Sequence, residues 1–238
     1  LTVTAMSVEE EHDDLFPADC RLFSDSFSEE RAYRFSGQEL RICQEFSASL
    51  GVAAPVWEAA LCLCRYFEEQ QFDFAGRRVI ELGSGTGIVG ILAARLGAAV
   101  TLTDLPHALP QLQRNVSANQ PSPCWPHPPS VRALSWGLDH AHFPSDWDLV
   151  LGADIVYARD TYPLLLATLR HLCQQGAVLY LASELRQEHG TPEFLTELLP
   201  GSFHTELLHH DDQLNISIYR GTLRGAGTLR ERDGALGH

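Results

Sequence analysis

Three glycines at every second position, Gly83, Gly85 and Gly87, follow the apolar run Val79-Ile80-Glu81-Leu82 and lead into Ile88-Val89-Gly90. A strand that turns this sharply into a helix needs backbone angles that a side chain forbids and glycine allows. Bare backbone lets a ligand rest against the main chain, and the free N–H groups of the first helical turn face it. Asp104 closes a second apolar run, 98–103, seventeen residues past Gly87. A carboxylate at the end of the next parallel strand can accept both hydroxyls of a ribose. Together these residues describe a nucleoside-cofactor site.

Two cofactors compete for it. Gly85-x-Gly87-x-x-Gly90 matches the dinucleotide fingerprint, and Asp104 is near the distance expected for a nicotinamide ribose. Glu81 argues against that choice. Two residues before the first glycine, it would repel a pyrophosphate and attract an ammonium and a sulfonium. The glycines also begin directly after the strand. S-adenosylmethionine, leaving as S-adenosylhomocysteine, is therefore favoured over the cofactor of a dinucleotide-dependent oxidoreductase. A non-catalytic binding module that keeps the fold is the remaining reading.

The elements that must hold these residues alternate along the chain. Strands are expected over Arg78–Leu82, Ala99–Thr103, Val131–Trp136, Trp147–Ala153 and Ala177–Ala182, with helices starting near Gly87, His107 and Asp160. Alternation of this kind predicts an α/β fold with a parallel sheet covered on both faces. Leu149-Val150-Leu151 and Val178-Leu179-Tyr180-Leu181 are continuous apolar runs, as doubly buried strands should be. Before this core, residues 20–50 suggest short strands, and 51–71 suggest one helix with Pro55 near its first turn. After it come a helix near Pro192–Leu199 and an antiparallel pair, Phe203–His209 with Asn215–Arg220. The chain thus divides into a disordered acidic arm over 1–19, an extension over 20–75, a cofactor-binding core over 76–220 and a disordered tail over 221–238. The proline-rich stretch 121–130 reads as a surface loop.

Composition sets further bounds. The 238 residues are 45% hydrophobic, enough for one α/β domain with a sizeable core. No apolar run nears the roughly 20 residues of a membrane helix, and the polar, acidic start does not suggest a secretory signal. A net charge of −14 with no basic block disfavours a nucleic-acid partner and suits a basic protein substrate. All 17 basic residues are arginine, so the chain has no lysine of its own to modify. The six scattered cysteines suggest reduced thiols in a cytoplasmic setting, and no metal is expected. In His209-His210-Asp211-Asp212 adjacent side chains point to opposite sides, which suits a solvated turn better than a metal. No long apolar stripe is left unused, which suggests a monomer.

The strand order and the Glu81/Gly83/Gly85/Gly87/Asp104 set resemble the class I, seven-strand, Rossmann-like methyltransferases that use S-adenosylmethionine, whose mostly parallel sheet ends in an antiparallel strand. A narrower match lies in Pro55-Val56-Trp57-Glu58, Leu134-Ser135-Trp136-Gly137 and Gly152-Ala153-Asp154-Ile155-Val156-Tyr157. These are similar to the methyltransferase-like protein-lysine methyltransferases, whose hallmark is Asp-x-x-Tyr after the fourth core strand. The resemblance spans about residues 20–220 and leans toward the members that act on a lysine of translation elongation factor 1-alpha; sister enzymes act on heat-shock chaperones. It implies that Trp57 contacts the cofactor from the extension, and that Gly83, Ser84 and Gly85 line its methionine and ribose. It also implies that Trp136 packs on the adenine and that Ala153 contacts the cofactor beside the acceptor pocket. Asp154 and Tyr157 become the candidate catalytic pair. Asp154 would position the incoming ammonium or orient the backbone and the Tyr157 hydroxyl, or instead simply cap the next helix. Tyr157 would wall the lysine channel, its ring face attracting the cation.

Overall fold

The structure, a computed structural model, describes residues 27–120 and 125–226. The acidic arm expected over 1–19 and residues 227–238 of the expected tail lie outside the described residues.

Among the described residues seven strands form the central sheet: β3 (Arg78–Leu82), β4 (Ala99–Asp104), β5 (Ser130–Ala133), β6 (Leu149–Ala153), β7 (Val178–Glu184), β8 (Phe203–Asp211) and β9 (Ile216–Leu223). Their order is β5-β4-β3-β6-β7-β9-β8. β3 to β7 run parallel, and β9 alone runs against its neighbours β7 and β8. Alternate residues of the apolar strands serve opposite faces. Val79, Leu149 and Leu151 join the core beneath α1 (Glu58–Glu69), α2 (Ile88–Arg95) and α3 (Leu109–Ala118). Ile80, Leu82 and Val150 join a second core beneath α4 (Tyr162–Cys173). Burial on both faces is why those strands show no polar alternation.

The extension begins with a hairpin, β1 (Phe27–Phe35) and β2 (Gln38–Phe46), turned by Ser36 and Gly37 at φ 49° and 73°. Positive φ at both central residues matches the twist of a two-residue hairpin. The outer edge of β2 is closed by side chains of α3 and of its C-cap residue Asn119. Asn119 and Asn115 exchange paired hydrogen bonds with the backbones of Arg41 and Cys43 at 2.8–2.9 Å. Gln111 accepts the Glu45 N–H at 2.7 Å. Three side-chain amides thereby do the work of a third strand.

Several elements differ from the expectation. The single helix expected over 51–71 is a 3-10 turn at Gly51–Ala53, an irregular stretch and then α1. Side chains hold that stretch out of a helix: Gln44 accepts the Val56 N–H at 2.8 Å, and Gln111 donates to the Ala53 carbonyl at 2.8 Å. β5 stops at Ala133 rather than Trp136, because the Asp139 carboxylate takes the Ser135 N–H and Gly137 turns the chain at φ 74°. β9 continues to Leu223, with Gly221 paired to both Leu179 and Thr205, so residues 221–223 belong to the sheet. The helix expected near 192–199 spans 191–202 and contains a π-helical turn at Phe194–Leu198, just before Pro200, which has no N–H to bond back. Of the solvated turn expected at 209–212, His209, His210 and Asp211 instead end β8, paired with Ile218, Ser217 and Ile216, and the turn follows them, with Asp211 accepting the N–H groups of Gln213 and Leu214.

Candidate active site

A cavity of about 380 Å³ opens above the carboxyl ends of β3, β4, β6 and β7. The chain leaves β3 toward β4 on one side and reaches β6 on the other, so the strand order reverses there. Open α/β sheets bind ligands at such a switch point. Of the site residues read from the sequence, Trp57, Glu81, Gly83, Ser84, Gly85, Asp104, Trp136, Ala153, Asp154 and Tyr157 all line this cavity. Gly87 does not. It caps α2 at φ 84°, and a Cβ there would lie 2.5 Å from Leu112, so its work is to let the turn pack on the core.

The turn after β3 is fixed from β4. Ser84 donates its N–H to the Thr103 carbonyl at 2.9 Å, and Gly85 donates to Asp104 Oδ2 at 2.7 Å. Gly83 sits at φ 57°, with Ile155 only 2.7 Å from where a Cβ would be, so a side chain is excluded on two counts. Asp104 Oδ1 accepts the Leu105 N–H at 2.7 Å. Each Asp104 oxygen thus keeps one lone pair for a ligand. Burial pushes this carboxyl above its ordinary range, against the pull of the two N–H groups.

Glu81 lies deeper. It is buried, and its Oε2 accepts the Gly90 N–H at 3.1 Å. Burial pushes its carboxyl up to about 8, opposed by hydrogen bonds from Ser84 and Gly90 and reinforced by Asp104. An acid held neutral in a cavity wall is suited to ionise when a cation arrives. Burial likewise raises the Tyr157 hydroxyl, with Asp104 adding to the shift.

At the other end, Asp154 follows β6 at φ 57° and is buried. It caps no helix. Its carboxylate is gripped by both terminal nitrogens of Arg186, at 2.9 and 2.8 Å, and accepts the Glu184 N–H at 3.3 Å. No hydrogen bond joins it to Tyr157 among the described residues. Trp57 is 38% exposed at the cavity mouth, its indole N–H bonded to the Val52 carbonyl at 2.8 Å. Arg186, Val52, Ala53, Ile155, Leu164 and His189 also line the cavity and were not among the site residues read from the sequence. For Val52 and Ala53 a signal existed in Pro55, which marks an irregular entry to α1.

A doubly wound sheet with one antiparallel strand, a glycine turn at the switch point and carboxylates ending β3 and β4 is the architecture of a class I methyltransferase. The solved structures agree on the fold. The 16S rRNA methyltransferase RsmC of T. thermophilus, in complex with AdoMet and guanosine, has a TM-score of 0.57 at 21% identity, covering 84% of this chain and 52% of its own. A TehB-like SAM-dependent methyltransferase from Corynebacterium glutamicum has a TM-score of 0.52 at 15% identity, covering 71% of this chain and 89% of its own.

The chain belongs to the lysine methyltransferase family, whose pattern matches residues 34–199. It is 59% identical over 201 residues to the EEF1A lysine methyltransferase 3 of Xenopus tropicalis, covering 84% of this chain and 88% of that protein. The Mus musculus protein of the same name is 56% identical over 220 residues, covering 91% and 92%. Protein N-lysine methyltransferase METTL21A of Danio rerio is 42% identical over 197 residues, covering 82% and 88%. No helix among the described residues is long and apolar enough to cross a membrane.

Proposed function

We propose that this lysine methyltransferase carries a methyl group from S-adenosylmethionine to the ε-amine of a lysine in translation elongation factor 1-alpha (EEF1A), in the cytoplasm where translation runs. The observation behind the substrate is the pair of relatives named for EEF1A, at 59% and 56% identity across most of both chains.

The cavity fits the cofactor. The free lone pairs of Asp104 suit a ribose diol, and the Trp136 ring offers a flat wall to an adenine. Glu81 offsets the positive charge that a sulfonium and an ammonium bring into a buried site. S-adenosylmethionine supplies an electrophilic methyl on positive sulfur. The chain's own task is to align the amine lone pair with that methyl and to exclude water.

The acceptor must first lose a proton, because only a neutral amine has the lone pair. Deprotonating a free lysine at pH 7.4 costs roughly 4 kcal/mol. The apolar and aromatic surfaces of Trp57, Tyr157 and Leu164 lower that cost by disfavouring the ammonium. Asp154 orients the amine, and the Tyr157 ring walls the channel.

The test is direct. Incubating the enzyme with methyl-labelled S-adenosylmethionine and EEF1A should place the label on a lysine of EEF1A. A cell extract in which another protein is labelled and EEF1A is not would overturn the substrate assignment. A change in NADH fluorescence on mixing, with no thermal shift from S-adenosylhomocysteine, would overturn the cofactor.

A further inference from the structure

The carboxylate assigned to the acceptor is not alone. Arg186, on the segment leaving β7, forks onto Asp154 through Nη1–Oδ1 and Nη2–Oδ2. Its Nη2 also donates to Glu184 Oε2 at 2.5 Å, and the guanidinium carbon lies over the Trp57 ring, 5.5 Å from the centroid. The Asp154 and Arg186 side chains are 3% and 16% exposed. Every other ion pair among the described residues leaves one partner more than a third exposed. A desolvated fork of this kind holds only with good geometry and both partners present.

Lone pairs show what is left for a substrate. Oδ1 accepts two donors, Arg186 Nη1 and the Glu184 N–H, and Oδ2 accepts one. One lone pair on Oδ2 remains. A bare buried carboxylate beside the acceptor would keep the lysine protonated and oppose the reaction. A guanidinium on that carboxylate, shared with the more exposed Glu184, offsets the effect and leaves the hydrogen bond.

We infer that Arg186 is a positioning residue for methyl transfer: its fork fixes Asp154 with one lone pair free to orient the lysine amine, and its charge stops that carboxylate from retaining the amine's proton. The inference deepens the function proposed above and rests on it. The other titratable groups around the pair are Glu184 on β7, Tyr157 and His189 on the loops that line the cavity, and Glu81 and Asp104 at its base. All stay unchanged in the variants below, so differences between variants report on Arg186 and Asp154.

The experiment compares kcat against pH for the wild type, Arg186→Met, Arg186→Gln, Arg186→Lys and the double variant Arg186→Met/Asp154→Asn, with S-adenosylhomocysteine affinity measured on each. The rising limb follows deprotonation of the bound amine. In Arg186→Met and Arg186→Gln the inflection should move up by about one pH unit or more, and kcat near pH 7 should fall about tenfold or more, while KM for the protein substrate holds or falls. Arg186→Lys keeps the charge and should hold the inflection within about half a unit of wild type. Adding Asp154→Asn to Arg186→Met removes the unmasked charge and should return the inflection toward wild type. Variants that lower kcat equally at every pH, or a double variant that leaves the inflection displaced, would overturn the inference. If the wild type leaves EEF1A unlabelled, the substrate reading fails and the same comparison is made on the protein that it does label. A wild type that labels no protein overturns both.

Discussion

Glu81 is a buried acid in the cavity wall whose Oε2 accepts the Gly90 N–H. Burial raises its carboxyl to about 8, whereas the unfolded chain leaves it near 4.5. Between those two values the folded protein holds a proton that the unfolded chain has lost, so stability falls as pH rises through that window. The ceiling is about 1.4 kcal/mol per unit, or a few kcal/mol across the window. Thermal unfolding of the cofactor-free protein should therefore show Tm falling from about pH 5 to pH 8, and Glu81→Gln should flatten that slope and raise Tm at the alkaline end. Binding should show the reverse trend: S-adenosylmethionine affinity of the wild type should rise with pH, and that of Glu81→Gln should not. A wild-type slope retained in Glu81→Gln would assign the effect to another group. Asp154→Ala separates chemistry from binding. It should cut methyl transfer by roughly a hundredfold or more, as loss of a positioned group does, and hold S-adenosylhomocysteine affinity within about tenfold. Transfer undiminished in that variant would remove Asp154 from the mechanism.

At the scale of elements, the extension stays on the core through a match of two repeats. Four residues of α-helix rise about 6.0 Å and two residues of strand about 6.6 Å. Gln111 and Asn115 on α3 and Asn119 at its C-cap are spaced by four, and Glu45, Cys43 and Arg41 by two on β2, so each amide meets its own backbone unit. Asn115 also donates to the Thr86 carbonyl at 3.0 Å, which ties the hairpin to the turn that enters α2. Asn115→Ala would leave buried backbone groups without partners, at a cost of about 2–3 kcal/mol. Chemical denaturation should register that loss, and amide exchange at Arg41, Cys43 and Glu45 should quicken ahead of the central sheet. Exchange unchanged at those three positions would mean that the ladder does not hold the hairpin. This ladder also marks the limit of reading the sequence. Strands such as β3, β6 and β7 were legible because burial on both faces leaves continuous apolar runs, and the glycine turn because its backbone excludes side chains. Asn and Gln on α3 look like ordinary solvated polar residues, since their partners lie 66–78 positions away. Arg186 was illegible for the same reason, its partner Asp154 being 32 residues off. Gly221 disguised the end of β9, because composition there hides a pairing that uses only backbone.

The whole molecule carries a net charge of −14 and no lysine. The second property makes the assay clean: any methyl-lysine in a hydrolysed reaction of enzyme and substrate originates in the substrate. The first should be visible in kinetics. Charge of one sign on a protein of 26.4 kDa draws a basic partner from a distance, and salt shortens that reach from about 10 Å at 0.1 M to about 3 Å at 1 M. Contacts at the buried floor of the cavity, around Glu81 and Asp154, are largely desolvated and feel salt far less. Raising sodium chloride from about 50 to 500 mM should therefore increase KM for the protein substrate several-fold and leave kcat and S-adenosylhomocysteine affinity near their low-salt values. A KM that ignores salt would shift the burden to the apolar rim of the cavity, where Val52, Trp57, Leu105 and Leu164 stand exposed. Substituting Leu164→Asp would then raise KM where salt had not, and the two results together would tell charge-led capture from apolar docking.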